Sequence, residues 1–244
     1  MKQFLFLALG LTLCPVAHAA DWKCPPGAKF IKDKTARGCQ KPDGTVHGKW
    51  IMYFKNGKKF RECMYKDGEY HGVCREWDRK GRRVHQIEYQ NGKYHGKRIH
   101  WCHTTGKMQG ECMYKNGKRH GLCAGWDEDG NKEDEGEFKE GKNHGPWTAL
   151  YETGVVKERG AYQAGQKHGK WTYWHRNGQM SLEGEYAHDV QTGRWTMWGE
   201  NGKKYSEGGL KDGKKHGEWT FWDETGQASV CTYQDDVRLK CVEK

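Results

Sequence analysis

The cysteines are the residues whose type and spacing most directly suggest chemistry, because a thiol can form a disulfide, ligate a metal or act as a nucleophile. The sequence contains ten cysteines, nine of which follow Cys14. Three pairs stand ten or eleven residues apart, and the first member of each is followed two residues later by tyrosine: Cys63 with Cys74, Cys112 with Cys123, and Cys231 with Cys241. This spacing predicts three disulfides, each closing across one turn.

A substitution pattern within the chain supports these pairs. Four stretches without cysteine hold glycine and tryptophan at the same two positions: Gly136 with Trp147, Gly160 with Trp171, Gly184 with Trp195, and Gly208 with Trp219. Because the two positions change together, we expect them to be neighbours in space. Ile87 and Arg98 follow neither rule. Cys39 has the cysteine position by spacing, but Trp50 stands where its partner should be, so we expect it to pair with Cys24.

Cys102 remains after these assignments and lies beside Trp101. Nucleophilic catalysis by a thiol needs a positioned base and an oxyanion donor. His100 and His103 are close in sequence, but successive residues of a strand point to opposite faces. We therefore expect Cys102 to be unpaired within the chain or to link two chains, and we expect the protein not to be an enzyme.

The histidines do not predict a metal site. Seven of them precede a glycine once per repeat: His47, His71, His95, His120, His144, His168 and His216. Equivalent residues two strands apart lie about 9.6 Å from each other, whereas the ligands of one zinc ion lie about 2 Å from the metal. We therefore expect no metal and no cofactor.

A glycine-centred pattern must position all of these residues, because it recurs eight times at a spacing of 24 residues with one inserted residue. Its markers are Gly48, Gly72, Gly96, Gly121, Gly145, Gly169, Gly193 and Gly217. Residues 169–174 read as a strand, Asn177-Gly178 favours a turn, and residues 181–186 return as a second strand. The pattern predicts an all-β protein, an elongated antiparallel array of eight 24-residue β-hairpins with sixteen strands, stapled by disulfides.

Large side chains recur at fixed offsets in both strands of the repeat. The first-strand set is Tyr53, Trp77, Trp101, Trp126, Leu150, Trp174, Trp198 and Trp222, and the second-strand set is Tyr65, Tyr89, Tyr114, Phe138, Tyr162 and Tyr186. We expect both sets to stack into ladders, with each cross-strand pair contributing about 0.2–1 kcal/mol. The alternative is an aromatic stripe that binds glycan or lipid.

The beginning of the chain is typical of an exported protein. Met1-Lys2, an apolar run from Phe4 to Leu13 and Ala17-His18-Ala19 predict a signal peptide over residues 1–20. Lipidation at Cys14 is an alternative. We expect a disulfide cap at residues 21–44, the repeat array at 45–234 and a second cap at 235–244. No other apolar run approaches the ~20 residues that span a bilayer, so we expect a periplasmic or extracellular bacterial protein.

The formal net charge of +10 is concentrated at the turns. The candidate binding residues are Lys93, Lys118, Arg119, Lys142, Lys167, Lys214 and Lys215. Such basic edges could bind an anionic envelope polymer, lipid headgroups or an acidic protein surface. The alternative is that these cations only keep a β-rich protein soluble. Nucleic acid is not expected as a partner of an exported chain.

The glycine spacing, the His-Gly-x-Trp start at residues 168–171 and the Glu-Gly-x-Tyr return at residues 183–186 resemble the variant MORN (membrane occupation and recognition nexus) repeat over about Lys41 to Tyr233. The pattern is similar to the bacterial YwqK-type group, an antitoxin family. The resemblance implies an array of β-hairpins with a binding or scaffolding role.

Two functions follow as hypotheses. The first is an exported, non-catalytic binding or scaffold protein of the cell envelope, which recognises a protein or an anionic surface. The alternative is an antitoxin-like inhibitor or immunity protein that neutralises a single protein toxin. The scaffold would use equivalent positions in many repeats, whereas the inhibitor would use positions that break the repeat: Ile87, Arg98 and residues 102–105 and 189–192.

Overall fold

The computed structural model describes residues 22–243, so the predicted signal peptide lies outside the described residues. These residues form nineteen β-strands and no helix. In chain order the strands are β1 Lys29–Lys32, β2 Ala36–Gln40, β3 Val46–Tyr53, β4 Lys59–Lys66, β5 Glu69–Trp77, β6 Arg83–Gln90, β7 Lys93–Trp101, β8 Met108–Lys115, β9 Lys118–Trp126, β10 Lys132–Lys139, β11 Lys142–Leu150, β12 Val156–Gln163, β13 Gln166–Trp174, β14 Met180–Ala187, β15 Val190–Trp198, β16 Lys204–Lys211, β17 Lys214–Trp222, β18 Ala228–Gln234 and β19 Val237–Glu243.

The strands form one open antiparallel sheet in which each strand pairs with the strands before and after it in the chain. The predicted all-β hairpin array is confirmed. The sixteen predicted strands correspond to β3–β18. Three further strands, β1, β2 and β19, extend the same sheet through the segments expected to be caps.

The two long edges of the sheet carry different connections. Eight connections are two-residue turns in which both residues have positive φ, as at Asn116 (φ 51) and Gly117 (φ 86). Such turns match the twist of a hairpin and favour Asn, Asp and Gly. We call this side the turn edge. The other side is the loop edge, where β13 and β14 are joined by five residues. The predicted turn at Asn177-Gly178 lies in this loop, and of these two residues only Gly178 has positive φ.

The marker glycines lie at bulges in the odd-numbered strands from β3 to β17. In β5, Cys74 follows Tyr70 by four positions, whereas their partners in β4, Cys63 and Tyr65, are only two positions apart. Gly72 stands inside this bulge with φ +85, a conformation that side chains with a Cβ rarely adopt. Because the bulge adds two residues, Tyr70 and Cys74 remain on the same face. The repeat therefore needs one glycine per hairpin at this point.

One face of the sheet, which we call the aromatic face, carries most of the buried side chains. A central row of residues crosses the strands on this face. Neighbouring members of the row are either paired in register or in contact through an indole ring that lies on a glycine: Trp50, Cys63, Cys74, Ile87, Arg98, Cys112, Cys123, Gly136, Trp147, Gly160, Trp171, Gly184, Trp195, Gly208, Trp219, Cys231 and Cys241. Trp171 and Trp195 are fully buried. The ring of Trp195 lies directly on Gly184, so that a Cβ added to Gly184 would overlap the ring. Glycine thus makes room for the indole.

The opposite face is held together by charge. Lysine and glutamate pair across neighbouring strands at equivalent positions, as in Lys49 with Glu62 (2.9 Å) and Lys170 with Glu183 (3.0 Å). Each such exposed or half-exposed pair contributes little, about 0–1 kcal/mol. The burial that stabilises this single-layer sheet is therefore supplied mainly by the aromatic face.

The two predicted aromatic sets behave differently. Rings of the second-strand set contact other rings on the aromatic face, as in Tyr70 and Tyr89 with centroids 4.8 Å apart. The expected ladder of the first-strand set is wrong, since within residues 22–243 its rings pack under cations instead. Examples are Lys59 Nζ, 5.3 Å from the Trp77 ring, and Arg83 over Trp101. Strand-end rings lie too far apart to stack unless a neighbouring strand supplies one between them.

Candidate binding surfaces

The predicted binding cations divide into two groups according to their position in the strand. Lys93, Lys118, Lys142 and Lys214 open their strands and are exposed at the turn edge, whereas Arg119, Lys167 and Lys215 stand second and lie over rings of the aromatic face. Alternate residues of a strand point to opposite faces. Of the cations predicted to form basic edges, only the first group therefore projects from an edge and not over the aromatic face.

Some lysines of the turn edge face other lysines, whereas Lys93 faces Gln90 and Lys66 faces Glu69. Three cross-strand pairs of exposed lysines flank two-residue turns: Lys115 with Lys118, Lys139 with Lys142, and Lys211 with Lys214. Like charges directly opposite each other destabilise a sheet. Lys118 has an acidic neighbour, with its Nζ 3.4 Å from Glu140, but both side chains are 61% exposed. These six residues, the turn-edge lysines, form a positive surface that folding does not require.

The cations over the aromatic face are used within the protein. Lys167 Nζ lies 3.9 Å from the Trp171 ring centroid, donates to Tyr173 Oη at 2.9 Å and pairs with Glu158 at 3.1 Å. Lys215 Nζ lies 4.6 Å from the centroid of the Trp219 ring. Cation–π contacts of this kind contribute about 0.5–2 kcal/mol. Lys167 and Lys215 therefore cover the aromatic face and are poor candidates for binding an external partner.

A recess opens on the aromatic face between β7 and β11, where two glycines stand directly opposite each other. Gly110 and Gly125 pair across β8 and β9, so neither strand contributes a side chain there. The His100 imidazole lies over Gly110, and an added Cβ would overlap it. A Cβ at Gly125 would lie 3.0 Å from Asp134 Oδ1. We call this cavity of about 180 Å³ the glycine recess.

Donors without partners lie in the wall of the glycine recess. Its lining also includes Arg98, Arg119, Glu111, Phe138 and Trp147. Arg98 Nε and Trp147 Nε1 are buried without a hydrogen-bond partner among the described residues. An unmet buried donor costs about 1–3 kcal/mol. Such donors are retained where something else satisfies them or where function requires them.

Burial shifts both titratable groups that flank the recess. Burial, together with the charges of Arg98 and His85, holds the pKa of His100 below its usual value. Burial raises the pKa of Asp134, while the backbone N–H of Gly125 acts in the opposite direction. Each shift favours the neutral form of its side chain. The recess therefore combines arginine charge with two groups whose charged forms are disfavoured by burial.

The cysteines occupy the predicted pairs. Eight of them form four disulfides: Cys24 with Cys39, Cys63 with Cys74, Cys112 with Cys123, and Cys231 with Cys241. Four disulfides indicate an oxidising location. The last three join residues that are directly opposite in adjacent strands.

One register assignment for the cysteines is wrong. Cys39 does not stand opposite Trp50, because Gly38 does, and the Trp50 ring would overlap a Cβ on Gly38. The glycine–tryptophan rule therefore extends to β2 and β3. Cys39 is displaced by one residue and reaches Cys24 in the segment before β1.

Cys102 is unpaired and only 4% exposed, in the loop that follows β7. Its Sγ lies 2.8 Å from Thr104 Oγ1. Hydrogen bonds from Thr104 and Thr105 lower the pKa of the thiol to about 6. A thiol covered in this way is not presented to a second chain.

The histidines before the marker glycines lie near the turn edge, and His47, His120 and His216 face acidic residues of the adjoining turns. His47 Nδ1 lies 3.0 Å from Asp67, and His216 Nδ1 lies 3.3 Å from Asp235. Within residues 22–243, no three His, Cys, Asp or Glu side chains are grouped so that they could hold a metal ion. No helix in the same range is long and apolar enough to cross a membrane.

The fold and these surfaces define a β-hairpin repeat protein, an architecture compatible with a binding or scaffolding role. The family described as MORN repeat variant matches the chain at residues 46–67 and 167–188. Each matched segment covers one hairpin, β3–β4 and β13–β14, so these hairpins are similar to variant MORN repeats and the predicted resemblance is confirmed there. The match does not extend to the YwqK-type group. No curated protein matches the chain.

Sequence reasoning did not find the glycine recess, although one of its signals was visible. Arg98 was recognised as a break in the pairing rule, and it forms part of the wall. Gly110 and Gly125 carry no signal alone in a chain with 34 glycines. The signal is their symmetric placement, two residues before Cys112 and two residues after Cys123, which becomes readable once the cysteines are known to be opposite.

Proposed function

We propose that this protein is an exported, non-catalytic binding protein of a bacterial cell envelope, periplasmic or extracellular, that holds an anionic polymer, lipid headgroups or an acidic protein surface at its turn edge. The observation that carries the proposal is the set of turn-edge lysines, three like-charge pairs that face each other across hairpins. Their mutual repulsion is relieved when an anionic surface binds. Export is supported by the four disulfides and by the signal-like first 20 residues.

Spacing favours an extended anionic partner. The pairs at β8–β9 and β10–β11 are two strands apart, a distance of about 9.6 Å. A ligand with charge repeated along its length or over its surface meets several pairs together, and such multivalent contact binds more tightly than one pair.

The test replaces Lys115, Lys118, Lys139 and Lys142 by glutamine in the oxidised mature protein. Binding is measured to vesicles containing phosphatidylglycerol and, separately, to soluble polyglutamate, at low and high salt. At about 1 kcal/mol per lysine at an anionic surface, we expect at least a tenfold loss of binding at low salt.

The matched control removes the same charge from the loop edge, at exposed Lys55, Arg79, Lys80 and Lys203. We expect this variant to bind almost as the wild type does. Equal losses in the two variants would show a general effect of net charge, and absence of wild-type binding to both probes would refute the proposal.

A second candidate is an antitoxin-like inhibitor or immunity protein that neutralises one protein toxin. It is favoured by the glycine recess, because this feature occurs in one place and a repeating polymer does not need it. Pull-down from envelope fractions separates the two functions. One stoichiometric protein that survives high salt supports the inhibitor, whereas heterogeneous material released by salt supports the scaffold.

A further inference from the structure

The glycine recess is a gap in an otherwise filled layer of side chains. Two residues from the central row, the aromatic face carries a second row of paired positions. Elsewhere these positions hold pairs with substantial side chains: Arg61 with Glu76, Glu158 with Tyr173, Leu182 with Met197, and Ser206 with Phe221. At Gly110 and Gly125 both members of the pair lack a side chain. The His100 imidazole and the Asp134 carboxyl, from the flanking strands, reach over these glycines, and a cavity of about 180 Å³ remains beside them.

The polar groups around this cavity define which ligand could fill it. Arg98 and Arg119 supply positive charge, and Arg98 Nε and Trp147 Nε1 are buried donors without partners. Arg119 also packs over Phe138, with 4.1 Å between its guanidinium carbon and the ring centroid. The wall thus combines donors for an anion with apolar surface, and a guanidinium fork matches the two oxygens of a carboxylate.

We propose that the glycine recess binds a small monocarboxylate with an aromatic body. The cavity of about 180 Å³ is large enough for one ring and its carboxylate. The carboxylate lies against Arg98, and the ring occupies the rest of the cavity, which is lined by Phe138, by Trp147 and by the side chains that cover the two glycines. This site is separate from the turn-edge lysines and does not rest on the proposed function.

Asp134 selects among anions. Its carboxyl group lies over Gly125, so a dianion such as phosphate meets a second acid across the recess. A monocarboxylate places one charge beside Arg98 and leaves its apolar ring toward Asp134. His100 completes the floor as a neutral imidazole.

The experiment titrates the oxidised mature protein with benzoate and with benzamide, its neutral isostere, and follows backbone amide NMR shifts. We expect benzoate to shift the amides of β7–β11 and to saturate, with benzamide at least tenfold weaker. Inorganic phosphate should leave these amides in place. Failure of benzoate to shift them, or equal binding of benzoate and benzamide, would overturn the proposal.

Two variants test the residues. Arg98→Gln should weaken benzoate at least tenfold, whereas Arg159→Gln, an arginine that packs over Trp174, should not. Gly125→Ala keeps Arg98 but fills the floor beside Asp134 and should also weaken benzoate. Circular dichroism and the amide spectrum establish that each variant is folded. Equal binding by the Arg98 and Arg159 variants would contradict the assignment.

The carboxylate could belong to a free acid or to the C-terminus of a polypeptide. A dipeptide ending in phenylalanine is compared with its C-terminal amide in the same titration. Binding of the free-acid dipeptide at least as tightly as benzoate identifies a peptide terminus as the source. Binding of benzoate alone identifies a free acid. The glutamine variant of the turn-edge lysines should retain benzoate binding, so failure of either proposal is separable from failure of the other.

Discussion

The two halves of the sheet fill the same central row in different ways. Between β4 and β9 two opposite positions are joined as Cys63–Cys74 and Cys112–Cys123, whereas between β10 and β17 an indole lies on a glycine. A disulfide constrains the unfolded chain, while a tryptophan on glycine removes apolar surface from water. The repeat therefore requires that the space between the strands be filled, but either a disulfide or a tryptophan–glycine pair can fill it. The glycine recess lies where one solution gives way to the other.

The row of positions two residues from the central row, on the side of the turn edge, differs between the halves as well. From Tyr65 to Tyr114 it is a continuous contact of tyrosine rings, whereas further along cations alternate with rings, as at Lys167 and Tyr162. The first half therefore has a neutral aromatic surface and the second has a charged one. Stability in the first half should depend on redox conditions and in the second on ring burial.

The largest expected effect is in the tryptophan half. Trp195→Ala removes a fully buried ring that lies on Gly184, and we expect it to lower the free energy of unfolding by about 3–5 kcal/mol. Trp198→Ala, at the half-buried strand end, is the control and should cost clearly less. Urea unfolding followed by circular dichroism measures both. Equal losses would mean that the tryptophan–glycine contact is not the stabilising feature of this half.

Removal of a disulfide should weaken the other half. The double variant Cys63→Ser and Cys74→Ser opens an eleven-residue crosslink, and the chain-entropy argument predicts a loss of about 2–3 kcal/mol. Hydrogen exchange should accelerate in β4 and β5 and stay unchanged in β13–β16, because coupling in a repeat array is between neighbours. Uniform acceleration along the whole sheet would contradict this division into halves.

Replacement of a disulfide by a tryptophan–glycine pair tests whether the two arrangements are equivalent. The variant Cys63→Gly with Cys74→Trp places a tryptophan–glycine pair in the disulfide half. We expect it to recover about 1–2 kcal/mol relative to the double serine variant. Hydrogen exchange in its β4 and β5 should not change when reductant is added, unlike that of β4 and β5 in the wild type. A stability no higher than that of the serine variant would show that the local register, and not volume alone, selects the cysteines.

The smallest expected effect is a pH dependence at the boundary between the halves. The pKa of His100 is lowered in the folded protein by burial, so the unfolded chain binds the proton more readily. This residue therefore destabilises the fold as pH falls below about 6.5, with a slope of at most about 1.4 kcal/mol per pH unit. His100→Gln should flatten the stability profile between pH 7 and 5, and the exposed control His103→Gln should not. Identical profiles would remove His100 from the explanation.

Much of the fold was predictable because the determinants are local. The two-residue turns need positive φ, and the Asn-Gly pairs at residues 91–92 and 116–117 indicate this conformation from the sequence. The bulge needs the marker glycine, and the paired changes at residues such as Cys63 and Cys74 report proximity. The binding surfaces were less predictable, because the first and second residues of a strand look alike in composition and face opposite ways.

The period, the hairpins, the four disulfides and the lysines near the turns could be inferred from residue types and spacing alone. The structure was needed to show that Lys142 faces solvent while Lys167 lies over Trp171, that Gly38 and not Cys39 opposes Trp50, and that Gly110 and Gly125 lie opposite each other at a recess. The difference comes from strand register. Turn and bulge conformations are set within a few residues, whereas the face and the partner of a side chain depend on how neighbouring strands align.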